Sequence, residues 1–146
     1  MSYAVSRPAD GGIRLRFFGD VTAEDLVAAQ REAFGDPSPQ NIPFAYVYGD
    51  WMDAETVTLP TEVIHQVATR RRAMLRANPR LRAVAVVKSD YVFGLARMWL
   101  SMLGDEGDKA RIFRSAAEAE DWLRRTLNLR AKPRRKPGKA AEPADR

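Results

Sequence analysis

Cysteine is absent from the chain and histidine occurs once, at His65. Without cysteine there are no disulfides, no thiolate nucleophile and no cysteine-ligated metal. A zinc site needs three or four ligands, and one histidine does not supply them. No Gly-x-Ser-x-Gly elbow occurs, so a Ser-His-Asp hydrolase lacks its nucleophile. Gly-x-x-x-x-Gly-Lys and Gly-x-Gly-x-x-Gly are missing as well, which removes the common phosphate-cradling folds. No apolar run reaches the roughly 18 residues of a membrane span, and the first twelve residues lack the apolar stretch of a secretion signal. A soluble cytoplasmic protein without a cofactor is the expectation.

What is present is basic on balance, with a net charge of +5 over 146 residues. The excess is local. Residues 128–146 carry seven Lys/Arg against two Asp/Glu, leaving 17 of each sign in residues 1–127. That division predicts a neutral α/β domain over 1–127 and a basic, disordered tail over 128–146, rich in proline and poor in large apolar side chains. Seven cations without interleaved aromatics could hold phosphates only nonspecifically, so no specific nucleic-acid partner is expected.

Hydrophobic patterning gives the order β-β-α-β-α-β-α-β-α. Tyr3 to Arg7 and Ile13 to Phe18 read as a hairpin joined through Asp10-Gly11-Gly12. Thr22 with Asp25 caps a helix ending at Gly35, and the three prolines from there to Pro43 mark a loop. Phe44 to Tyr48 reads as a third strand, followed by a polar, acidic loop over Gly49 to Thr58 and a second helix opening at Pro60. The uncharged, unalternating run Ala83 to Val87 is a strand buried on both faces. Asp90 to Leu103 follows as a largely apolar helix, then a turn, a fifth strand over Ala110 to Arg114 and a helix capped by Ser115. Single helices between the later strands favour parallel crossovers, giving a mixed five-stranded sheet packed with four helices.

The segments Ala83 to Val87, Tyr91-Val92-Phe93-Gly94-Leu95-Ala96-Arg97-Met98, Arg111 to Arg114 and Trp122-Leu123 together resemble the STAS superfamily. The resemblance spans roughly residues 3–127. It is nearest the SpoIIAA-like, STAS/SEC14-like bacterial branch, and it implies a regulatory or binding domain in place of a catalyst. Antagonist members of the superfamily are switched on a serine just before the second helix. Asp50 to Thr61 holds no serine here, leaving Thr58 and Thr61 as the nearby hydroxyls, with Thr58 more simply a cap. The phospho-switch is not carried over.

Three further features could bear chemistry. Asp20, Asp50 and Asp90 each follow a strand, so with Lys88 they could line the carboxyl edge of the sheet and hold Mg²⁺ and a phosphate, although capping and turn roles explain the same residues. Arg71 falls in the middle of the apolar face formed by Ile64, Val67, Ala68 and Leu75. There it must snorkel out, pair with a carboxylate, or line a pocket and meet an anion. On the helix from Asp90, Val92, Leu95, Ala96, Trp99 and Leu103 suffice for a core. That leaves Phe93, Arg97, Met98 and Leu100 either to be covered by a neighbouring helix or to form a patch for a second subunit, a homodimer first, or another partner.

The sequence is therefore read as a non-enzymatic module that recognises a protein partner or a small apolar ligand. Trp51, Met52, Arg71, Phe93, Arg97, Met98 and Leu100 are its candidate contacts. A carrier of lipids or other hydrophobic ligands is the alternative, and Mg²⁺-dependent phosphoryl transfer a remote third.

Overall fold

The computed structural model describes residues 2–35 and 44–131, the side chains of 128–131 excepted. The proline-bearing segment after Gly35 and the basic tail from 132 lie outside the described residues. Strands β1 (Tyr3–Ser6), β2 (Ile13–Thr22), β3 (Tyr46–Thr58), β4 (Arg82–Val86) and β5 (Ala110–Phe113) form one sheet in the order β1-β2-β3-β4-β5. The β1–β2 pair is antiparallel and the remaining pairs are parallel. Helices α1 (Ala23–Phe34), α2 (Thr61–Ala77) and α3 (Asp90–Met102) make the three crossovers, a 3-10 turn covers Gly104–Lys109, and α4 (Ala116–Ala131) closes the chain. The expected α/β architecture, with its hairpin and parallel units, is the observed one. The last helix continues four residues beyond the expected end of the domain at Leu127.

The sheet divides two cores. Ile13, Leu15, Phe17, Val47 and Ala83 point to the side of α1 and α2, where Leu26, Ala29, Ile64, Ala68 and Leu75 meet them. Tyr46, Tyr48, Val84, Val86 and Phe113 point the other way, onto Ala119 and Leu123 of α4. Strand β4 is thus buried on both faces, which is why its sequence shows no alternation.

One sequence expectation is overturned. Gly49 to Thr58 is not a loop but the continuation of β3, and β2 likewise runs on past Phe18 to Thr22. The two strands extend beyond β4 as a parallel ribbon, with Asp20 opposite Thr56 and Val21 opposite Val57. Register shifts fall at Arg16/Phe18 and at Gly19/Asp20, beside the positive φ of Gly19. The ribbon is largely solvent-facing, so polar residues outnumber Ala54 and Val57 there and mimic a loop composition. Cross-strand contacts hold it: Thr56 Oγ1 donates to Asp20 at 2.6 Å, and Arg16 pairs with Asp53 at 2.9 Å.

The caps behave as read for three helices, on α4 through the Glu118 N–H donating to Ser115 Oγ at 3.3 Å. Thr22 and Asp25 form a reciprocal capping box on α1, and Ser89 Oγ accepts from the Val92 N–H on α3. Helix α2 differs: Pro60 is its N-cap, with no side-chain cap bond, and Thr58 ends β3. Thr58 is therefore a strand residue and not a cap.

Candidate functional site: an apolar cavity holding a buried arginine

At the level of Leu15 the central strands carry little side-chain volume. Leu15 stands opposite Gly49, and Gly49 opposite Ala85. Above this floor α2 packs its backbone on α3 and the 3-10 turn more closely than on any strand. The space between is not filled. A cavity of about 90 Å³ remains, floored by β2, β3 and β4 and roofed by α1, α2 and α3. Phe17 and Trp51 stack in its wall at 4.1 Å between ring centroids. Ile64 and Val67 of α2 and Val92, Leu95, Ala96 and Trp99 of α3 complete it. Trp51, Val67, Leu95 and Trp99 are half-buried, so the cavity approaches solvent on the α2–α3 side.

Two polar side chains with hydrogen-bonding heads enter this wall besides the indoles, Gln30 and Arg71. Both are buried, Gln30 at 8% and Arg71 at 5% exposure. Arg71 Nη2 donates to Gln30 Oε1 at 2.8 Å, and the guanidinium lies 5.1 Å from the centre of the Phe34 ring. Its Nε is buried with no hydrogen-bond partner. No carboxylate among the described residues makes an ion pair with it. Burial alone pushes its pKa down to about 10, so it remains cationic at neutral pH. A charged group removed from water without a counter-charge is costly, and a protein retains one where something else compensates.

The candidates read from the sequence separate into distinct places. Trp51 and Arg71 meet in the cavity. Met52 points to the opposite face, against the Tyr46–Phe113 cluster, because it follows Trp51 on an extended strand. Phe93 sits at the outer end of α3 between the Arg97 and Arg114 guanidiniums, at 5.9 and 4.8 Å. Met98 and Leu100 are not left over on an outer stripe: both are half-buried against the larger core. The exposed aromatic of α3 is Tyr91, at 59%. Thr58 and Thr61 are solvent-exposed at the ribbon end and the α2 start. His65 is exposed on α2.

The acidic trio does not converge. Asp20 accepts from Thr56, Asp50 accepts the Met52 N–H at 2.9 Å, and Asp90 pairs with Arg114 at 2.5 Å. Extension of the β2–β3 ribbon moves Asp20 alongside Thr56, six residues beyond Asp50 on β3. Among the described residues no three His, Asp or Glu side chains gather where a cation could sit.

Gln30 and Gly49 carry no site expectation from the sequence, and Leu95 and Trp99 are expected there only as core residues of the helix from Asp90. Gln30 on the inner face of α1 was the available signal, a polar residue between Leu26 and Ala33 on the buried side. A further polar network lies across the sheet. There Arg14 clasps Glu120 through two bonds of 2.6 and 2.9 Å and donates to the Tyr46 hydroxyl, which itself donates to Asp10. This network ties α4 and the β1–β2 turn to the strands, and its members partner one another.

The backbone resembles that of a Shewanella loihica PV-4 protein, described as an uncharacterized protein from the DUF3478 family with a SpoIIAA-like fold. The TM-score is 0.52 at 12% identity, over 84% of this chain and 92% of that one. The fold is SpoIIAA-like, as the resemblance in the sequence implied. No family model matches the chain. No curated protein matches it either. Among the described residues no helix is long and apolar enough to cross a membrane.

Proposed function

We propose that this domain is a binding module for a small, predominantly apolar molecule held between the sheet and its three crossover helices. The observation that carries this reading is the cavity of about 90 Å³ walled by stacked Phe17 and Trp51, with Trp99 and Leu95 beside it. Native interiors are close-packed, and an apolar void of this kind costs stability unless something fills it. Concave, mostly apolar sites with a few convergent polar groups are the usual form of small-molecule sites.

Binding is favoured over reaction by the chemistry of the lining. Among the described residues the lining contains no hydroxyl, imidazole or carboxylate side chain, so none of them offers a nucleophile or a general base to the cavity. A regulatory role follows naturally if occupancy changes the seating of α3, whose inner residues form one wall. A partner would then contact the exposed end of that helix, at Tyr91 and the Phe93–Arg97 pair.

The test is a titration with butanol, whose size matches the cavity, followed by amide and methyl NMR shifts and by tryptophan fluorescence. Shifts should centre on Trp51, Ile64, Val92 and Trp99. Gly49→Val should abolish them without unfolding the protein. A Cβ at Gly49 would meet Trp51 Nε1 at 3.5 Å and the Val84 carbonyl at 3.7 Å, ordinary contact distances, while the added methyls take up cavity space. Shifts confined to the α3 surface, or none up to the solubility limit, would refute the reading.

A further inference from the structure

The geometry points to a ligand with one carboxylate at the end of its apolar body, the carboxylate bound by Arg71 and steadied by Gln30. This rests on the cavity being a ligand site and adds to it the chemical class of the occupant.

Arg71 is fully cationic, 5% exposed and part of the cavity wall, with no counter-ion among the described residues. Of its three guanidinium nitrogens, Nη2 is engaged, and by a neutral amide oxygen. Nε is buried and unpartnered. A guanidinium is a planar fork suited to a carboxylate, and a charge-assisted bond inside a low-dielectric cavity is stronger than its equivalent in water. The positive head also sits in a fixed place. Gln30 holds one edge and the Phe34 ring lies under the guanidinium face, so little side-chain freedom is lost when an anion arrives. One cation calls for one negative charge. A carboxylate neutralises it, whereas a dianionic phosphate would leave an unpaired charge of opposite sign in an apolar space. Among the described residues the rest of the lining offers no further cation and is mostly apolar, which suits an apolar body.

Three probes of equal chain length, sized to the cavity, separate the possibilities: butanoate, butanol and butylamine, each read by NMR shifts at Trp51 and Trp99 and by calorimetry. Butanoate should bind about tenfold more tightly than butanol or better, as one charge-assisted bond allows. Butylamine should not bind. In Arg71→Met, with circular dichroism confirming the fold, the butanoate preference should fall to within about twofold of butanol. Gln30→Leu should weaken butanoate more than butanol. If butanol binds and butanoate does not, or if Arg71→Met keeps the preference, the carboxylate assignment is overturned and the cavity reading stands. If neither probe reaches the cavity, both readings fall together.

Discussion

Replacing Arg71 and Gln30 together by Met and Leu tests whether the arginine belongs to the fold or to a ligand. Burial lowers the Arg71 pKa well below the ordinary arginine value, to about 10. At 1.36 kcal/mol per unit this is a penalty of roughly 3 kcal/mol on the ligand-free fold. Because the folded value lies below the unfolded one, the unfolded chain holds this proton more tightly. The penalty is therefore fully present below pH 10, including neutral pH, and fades as pH rises through that value. Two contacts offset it. The bond to Gln30 contributes about 1.5–3 kcal/mol as a hydrogen bond to a charged group, and the Phe34 ring adds about 1 kcal/mol. Arg71→Met alone strands the Gln30 amide and should cost about 1 kcal/mol. The double variant strands nothing and swaps a nearly balanced polar pair for apolar side chains of similar size. Its stability should lie within about 1 kcal/mol of the parent or above it. Breaking a paired buried arginine would instead cost roughly 3–5 kcal/mol. Urea unfolding followed by far-ultraviolet circular dichroism separates these values cleanly. A double variant weaker by 3 kcal/mol or more would mean that Arg71 is neutralised within the chain, and the reasoning from an unpaired charge would fail.

Two further outcomes concern the scaffold. Gly12→Ala should destabilise by about 3 kcal/mol or more, because a Cβ there would lie 2.0 Å from the ring of Tyr46, which is 1% exposed and cannot withdraw; a thermal midpoint unchanged from the parent would contradict this. Arg14 holds the Glu120 carboxyl below its usual range chiefly through their hydrogen bond. The lowered folded value means that stability from this pair is present above the unfolded carboxyl pKa and is lost as pH falls through the folded one. With the Glu120 side chain 38% exposed the loss should be only on the order of 1 kcal/mol, and Glu120→Gln should flatten the acid limb of a stability–pH curve below about pH 4.

The element order, the hairpin, the parallel crossovers and the doubly buried β4 could all be read from local pattern, because period and caps are written in adjacent residues. The cavity could not, because it arises from register. Gly49 and Ala85 are 36 positions apart, and each alone is an unremarkable small residue in a strand. Only when β3 and β4 align them side by side, next to Leu15, does the floor of the core lose the volume of two large side chains. The ribbon is hidden for a related reason: Asp50, Asp53 and Glu55 have a loop's composition, and only β2 running alongside them past the edge of the sheet makes them a strand. Arg71 was the exception. Its place on the apolar face of α2 follows from helical periodicity alone, and the three fates open to it were snorkelling, pairing or facing a pocket. At 5% exposure it does not snorkel, it has no carboxylate partner among the described residues, and it lines the cavity. A helix that places a cation at the centre of its buried face, over the one stretch of sheet too thin to fill the space beneath, spends stability at a single point. That coincidence of missing volume and unspent charge is why the functional reading rests there and not on the outer surface of α3, where Met98 and Leu100 turn out to be packing residues.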